Sequence, residues 1–349
     1  MPTGLRSGVL EVRQQLAEGR EKIRAAHERG LDGVQVCARL TALVDGAIAR
    51  LYDEALADLS APMADELRER VALVAHGGYG RRHMAPFSDI DLMMLHTGRA
   101  DGPVVELARR ITQDVCDARE QLGQSVRSTH EAIQLARQDP LICTSVLESR
   151  LVVGAAAVHD QFSNGLAKMV SRRATATFRQ FIASRKEEHH QYVETVYLLE
   201  PNIKRSRGAL RDLHLLRWLW FVKSGVAEPD RLHAMGVVSK FDYRRLRTAR
   251  NFLLRVRNDL HFHAGTAADV LTRAQQVRVA RQLQYLGTAG LHPAEQLMRD
   301  YFHHTNHVAS LSHRLSELVE PTPTMTRVLE PMFGRSIQDD YRIGLREIS

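Results

Sequence analysis

Residues 71–95, VALVAHGGYGRRHMAPFSDIDLMML, decide the fold. Residues 71–75 are a short continuous apolar run of the kind a buried strand shows, and Gly77 and Gly78 end it. Ten residues after Gly78 a second apolar run begins, carrying Asp89 and Asp91 with Ile90 between them. On a strand, residues two apart share a face, so both carboxylates project together while Ile90, Leu92 and Met94 face a core. Two adjacent anions repel. A divalent cation between them offsets the repulsion, and Mg²⁺, or Mn²⁺, takes oxygen ligands from one or two carboxylates plus substrate phosphates.

Glycines lack a Cβ, so Gly77 and Gly78 let backbone N–H groups approach a phosphate closely, and Ser88 adds a hydroxyl donor beside the acids. Arg81 in the same turn is counted with them as phosphate-binding. A phosphate cradle followed by a metal-binding Asp-x-Asp strand suits nucleotidyl transfer. The competing reading is a strand–turn–strand whose acids lie on a solvated face.

The pattern Gly-Gly, ten residues, Asp-hydrophobic-Asp resembles the polymerase-β-like nucleotidyltransferases. GGYGR and SDIDL in particular are similar to the bacterial protein-PII uridylyltransferases. A second block, residues 197–213 (YLLEPNIKRSRGALRDL), is similar to the helical domain that follows the transferase core in that family, as are residues 252–261 and the MRDYF at 298–302. The resemblance implies an α+β polymerase-β-like nucleotidyltransferase domain with N-terminal helices, followed by an all-α domain. The expected division is 1–60 for N-terminal helices packing on the transferase domain, 61–165 for the nucleotidyltransferase domain, 166–320 for the α-helical domain, and 321–349 for a linker and the start of a further region. It also implies transfer of UMP from UTP to a tyrosine of a PII-type nitrogen-signalling protein, releasing pyrophosphate. The alternatives are an adenylyl- or other nucleotidyltransferase with a different acceptor, and a catalytically silent nucleotide-binding module.

Departures from the family fall close to the chemistry. The family usually continues Gly-Arg-Gly-Glu-Leu where this chain has Gly80-Arg81-Arg82-His83-Met84, and Ala209 replaces a usual second glycine. The strand expected at residues 123–128 (GQSVRS) carries no third acid, leaving Glu148, Asp117 and Glu120 as candidates. Arg127 on that strand is a candidate phosphate ligand or a surface arginine.

The chain has 349 residues, 44% hydrophobic and 26% charged, which is room for two domains of an ordinary globular protein. No apolar run reaches the ~20 residues needed to cross a bilayer, and the N-terminus lacks the apolar core of a signal peptide, so a cytoplasmic location is expected. Three widely spaced cysteines suggest neither a disulfide framework nor a zinc site. The net charge of +7 is dispersed among 41 acids, which favours a basic cleft for a triphosphate over a nucleic-acid surface.

Amphipathic helices are predicted over 5–30, 36–58, 63–70 and 104–118, then successive helices over 130–137, 141–153, 155–168 and 171–194. Two long helices, 239–263 and 294–318, imply a bundle. Ahead of both, after the helix at 171–194, Pro201, Asn202 and Gly208 interrupt the rhythm before a helix resumes over 209–222. The polar members of that loop and the helix after it are Glu200, Asn202, Lys204, Arg211 and Asp212, which the resemblance turns toward the nucleotide. Lys204 and Arg211 are natural partners for triphosphate oxygens, and Asp212 is expected to pair with one of them. Trp218 and Trp220 read as core. His159-Asp160, His189-His190 and the pair His303 and His307 read as surface residues rather than metal ligands. Residues 341–348 alternate weakly like a strand. The tail after Val319 holds no histidine, so no uridylyl-removing hydrolase domain is expected in this chain, which would add but not remove the nucleotide.

Overall fold

The computed structural model describes residues 5–100, 102–191, 197–317, 335–336 and 342–343. Three helices, α1 (Ser7–Glu28), α2 (Gly33–Ala57) and α3 (Ala61–Arg70), lead into β1 (Val71–Ala75). A single turn, α4 (Gly77–Gly80), separates it from β2 (Ile90–His96); α5 (Gly102–Asp117) and β3 (Leu122–Ser128) follow. Then come α6 (Thr129–Gln138), α7 (Pro140–Val146), β4 (Arg150–Gly154), α8 (Ala156–Arg172) and α9 (Ala174–Gln191). The remaining helices are α10 (Leu210–Ser224), α11 (Pro229–Ala234), α12 (Lys240–Ala264), α13 (Arg273–Gln282) and α14 (Pro293–Glu317). The expected strand at 341–348 is described only at β6 (Arg342–Ile343), which pairs with β5 (Arg335–Ser336); the rest of that stretch and the linker before it lie outside the described residues.

One expectation is corrected. Residues 141–153 were assigned to one helix, but α7 stops at Val146 and β4 follows. Val152 and Val153 are β-branched and suit a strand, and without β4 one side of β1 would leave its backbone groups unpaired. The sheet runs β3-β2-β1-β4, with β1 antiparallel to both neighbours and β2 parallel to β3.

Both faces of this sheet are covered, which is why β1 is apolar throughout and fully buried. Leu73, Ile90, Leu92 and Met94 pack with α1, α2, α3 and α5. Ala72, Val74, Met93 and Leu95 face the other way, into a core that continues through α8 and α10 to α14. By alternation Asp91 belongs to this second face, so the strand that buries Leu92 among the N-terminal helices turns its carboxylate toward the C-terminal helices. The expected boundary at 165/166 falls inside α8, whose Phe162, Leu166 and Val170 share one core with Trp218 and Tyr301.

Helix α2 packs against the α1 and α5 layer and also against α12. Gly33 makes that second contact: a Cβ there would stand 2.3 Å from the Arg255 backbone N and 2.6 Å from the Asn251 carbonyl. Across it Asn258 Nδ2 donates to the Gly33 carbonyl at 3.1 Å, and the Val34 N–H donates to Asn251 Oδ1 at 3.2 Å.

Arg82 sits in the left-handed region at φ 58°, which favours glycine. The conformation costs a side-chain-bearing residue about 1–2 kcal/mol, while glycine returns about 0.5–1 kcal/mol to the unfolded chain. Arg82→Gly is therefore expected to raise stability by about 0.5–1 kcal/mol, read as a higher urea midpoint at unchanged slope.

Candidate active site

A cleft of about 440 Å³ opens where the second face of the sheet meets the C-terminal helices. Gly77, Gly78, Arg81, Ser88, Asp89 and Asp91 line it from the sheet side, and Lys204, Arg211, Arg257 and His261 line it from the helical side. Sequence reading therefore identified residues from both walls.

Asp91 is the second residue of β2, opposite Gly123 in the parallel register. Gly77 is where the chain needs a missing side chain: its φ is 57° and a Cβ would stand 2.3 Å from Asp91 Oδ2. The turn can pass directly over the carboxylate only because that position is glycine. Asp89 is exposed just ahead of the strand. Among the described residues neither side chain makes an ion pair or hydrogen bond, although both line a cleft rich in cations. Two hard, unpartnered carboxylates in such a cleft fit a divalent cation shared with a phosphate rather than an all-protein cage. No group of three or more His, Cys, Asp or Glu suited to a metal occurs among the described residues. Ser88 Oγ accepts the Ala85 N–H at 3.0 Å, which leaves its own proton to donate into the cleft.

The cations are buried and incompletely satisfied. The Arg81 guanidinium is 5% exposed, 4.0 Å from Glu148 Oε2, and its Nε and Nη1 have no hydrogen-bond partner. Burial pushes its pKa down to about 10 against the opposing pull of Glu148. Lys204 makes no ion pair among the described residues. Burial first, then the Arg257 charge, lowers its ammonium from the ordinary value, while Asp269 and Asp91 pull the other way. Arg211 lies 3.5 Å from Glu188, and both Arg81 and Arg211 stack on Trp218, at 5.7 and 6.0 Å from its ring centre.

The loop before α10 shows why Lys204 and Arg211 emerge side by side. Asn202 Oδ1 accepts the N–H groups of Lys204 and Arg205 at 3.0 and 2.9 Å, and the Arg211 N–H donates to the Lys204 carbonyl at 2.9 Å. Asn202 is thus a turn former rather than a residue facing the nucleotide. Glu200 accepts the Arg273 N–H at 2.9 Å outside the cleft. Asp212 pairs with neither Lys204 nor Arg211 but with Arg185 Nε at 2.6 Å, His189 at 3.3 Å and the Gly208 N–H at 2.5 Å. His189 is therefore a half-buried partner of Asp212 and not a solvated residue.

Other placements also differ from expectation. Arg127 does not line the cleft; in the β2–β3 register it stands opposite Leu95, four residues beyond Asp91, about 13 Å along the strand. Of the third-acid candidates, Glu148 is taken by Arg217 Nε at 2.6 Å and Trp218 Nε1 at 3.2 Å, and Glu120 by Arg20 at 2.8 Å; Asp117 lies outside the cleft lining. Trp218 and Trp220 are buried as read, but Trp218 also walls the cleft. His303 is exposed, whereas His307 is largely buried 3.4 Å from Asp242.

Sequence reading missed Arg257, His261 and Asp269, and the pair formed by His83 and His214. The last two are buried, 3.3 Å apart, and burial followed by neighbouring arginines holds both rings well below their ordinary pKa. The sequence offers only a cluster of polar residues, Arg257, Asn258, Asp259 and His261, within a long helical stretch; that all four are buried in α12 is visible only in the structure.

The family model described as GlnD PII-uridylyltransferase matches residues 176–316. Among curated relatives, a bifunctional uridylyltransferase/uridylyl-removing enzyme from Bradyrhizobium diazoefficiens is 33% identical over 303 residues, covering 85% of this chain and 33% of the relative. One from Nitrobacter winogradskyi is 31% identical over 350 residues, covering 97% of this chain and 38% of its own length. The class follows first: the chain is a relative of nucleotidyltransferases. More narrowly, it is uridylyltransferase-like, related to the uridylyltransferase family and spanning about a third of the length of the curated relatives it matches. Among the described residues no helix is long and apolar enough to cross a membrane.

Proposed function

We propose that the cleft binds UTP with Mg²⁺, or Mn²⁺, and transfers UMP to a tyrosine hydroxyl of a PII-type signalling protein in the cytoplasm, with release of pyrophosphate. The observation that carries this reading is the opposition of two carboxylates, Asp89 and Asp91, unpartnered among the described residues, to Lys204 across one cleft, with the half-satisfied Arg81 on the acids' own wall. Asp89 and Asp91 hold the metal, which when bound neutralises phosphate charge and orients the triphosphate for in-line displacement. Arg81, Lys204 and Arg211 take phosphate oxygens through charge-assisted hydrogen bonds, and the backbone of Gly77 and Gly78 lets the phosphates lie close. The acceptor oxygen comes from the second protein, so the cleft needs no nucleophile of its own. The names of the related enzymes and the family description support UTP and PII as the substrates.

A second reading, a silent nucleotide-binding module, is favoured by the engagement of Glu148, one of the third-acid candidates, with Arg217 and Trp218. Incubation with labelled UTP or ATP, Mg²⁺ and a PII-type acceptor separates the readings. Label transferred from UTP supports the proposal; binding without transfer supports the silent module; label from ATP alone makes the protein an adenylyltransferase.

Lys204→Ala is expected to weaken UTP binding by roughly 1.5–3 kcal/mol and UMP binding by much less, because the ammonium meets the outer phosphates. Titration calorimetry with both nucleotides checks this, and equal losses would assign Lys204 a structural role.

A further inference from the structure

We propose that Asp269, which belongs to no motif, is a positioning residue that holds Arg257 so that its free guanidinium edge meets the two phosphates that leave as pyrophosphate. The inference rests on the reading of the cleft as a nucleoside triphosphate site.

Asp269 Oδ1 accepts from Arg257 Nε at 2.7 Å and from His261 Nε2 at 3.2 Å. Its backbone is tied to the loop that carries Lys204: the Ile203 N–H donates to the Asp269 carbonyl at 2.8 Å, and the Leu271 N–H to the Pro201 carbonyl at 2.9 Å. One residue therefore fixes Lys204 through the main chain and Arg257 through its carboxylate, although the two cations come from segments more than fifty positions apart in the sequence.

With Nε committed to Asp269, the two Nη groups of Arg257 make no hydrogen bond among the described residues, and the side chain remains 10% exposed within the cleft lining. That edge is the part of a guanidinium that grips a phosphate in a bidentate manner. His261 completes the brace. Its Nε2 stands 3.2 Å from Asp269 Oδ1, and burial lowers the ring's pKa from the ordinary value against the opposing pull of Asp269. Burial alone would raise the Asp269 carboxyl, but His261 and Arg257 hold it far below the usual carboxylate range, so it stays an anion whose charge is spent on its two donors. Lys204 and Arg257 against this one acid leave a net positive corner facing Asp91 across the cleft.

The test is calorimetry on the full chain with Mg²⁺–pyrophosphate, Mg²⁺–UTP and UMP, with melting temperatures recorded for each variant. Asp269→Asn and Arg257→Lys are expected to weaken pyrophosphate and UTP tenfold or more while UMP stays within twofold, and Asp269→Glu is expected to recover part of the loss. In turnover the KM for UTP should rise more than kcat falls. Pyrophosphate affinity within twofold of wild type in Asp269→Asn, or equal loss for UMP, would overturn the proposal and leave Asp269 a brace between α12 and the Lys204 loop. Should Asp269→Asn fail to fold, Arg257→Lys decides in the same way. A wild-type protein that binds neither UTP nor pyrophosphate would refute the site reading itself, and this inference with it.

Discussion

Asp89→Asn and Asp91→Asn will each reduce nucleotidyl transfer by about 10³-fold, while the melting temperature stays level or rises. Losing a carboxylate ligand removes several kilocalories of transition-state charge stabilisation, and about 4 kcal/mol corresponds to that factor. Stability should not suffer, because among the described residues neither side chain has a partner to lose and the substitution relieves repulsion between adjacent anions. Asn is isosteric, so the close approach of Gly77 and Gly123 to residue 91 is preserved. Initial rates at saturating UTP and acceptor, with thermal melts alongside, measure both halves. If both variants kept wild-type turnover, the metal assignment would be wrong.

The second large effect is structural. Asp212→Ala is expected to cost about 3–5 kcal/mol, the scale for breaking a buried ion pair by removing one partner. It would leave the Arg185 guanidinium buried at 4% exposure, and would orphan the Gly208 N–H. Burial alone would raise this carboxyl, but His189 and Arg185 hold it below the ordinary value. Its contribution is thus complete above the unfolded pKa of about 4 and is lost as pH falls through the depressed folded value. Urea unfolding at pH 7 should show the full difference between wild type and Asp212→Ala, and the gap should narrow below pH 4. A constant gap over that range would deny the carboxylate its ionised role.

The acid pair and its glycine turn were legible because they are local: a strand of period two, a turn needing a missing Cβ, and a few residues between them. Lys204 and Arg211 were legible as polar interruptions of a helical pattern, though their neighbours Glu200, Asn202 and Asp212 proved to build the loop rather than face the cleft. Local patterning could not reveal Asp269 with Arg257, because their meaning lies in a contact between a helix and a loop that no period connects. The strand β4 escaped for a related reason. A five-residue strand, four of whose residues pair with β1 across 74 intervening positions, carries too little pattern of its own, and only the unpaired side of β1 demands it. Arg127 shows the opposite error: a correct strand and a suitable side chain, placed at the wrong end of the ladder.

Gly33 has a bearing on substrate that its distance from the chemistry conceals. It is the fulcrum at which the N-terminal pair of helices leans on α12, and α12 is the arm that carries Arg257 and His261 to the cleft. A methyl group there would collide with main-chain atoms, which cannot swing aside as a side chain can, so the arm itself would have to tilt. The gap between the acid wall and the basic wall is in this sense set from behind, by how deeply one glycine lets two helices nest, and for the proposed triphosphate site a lesion at the fulcrum would be felt as lost grip on phosphate without touching any group assigned to bind it.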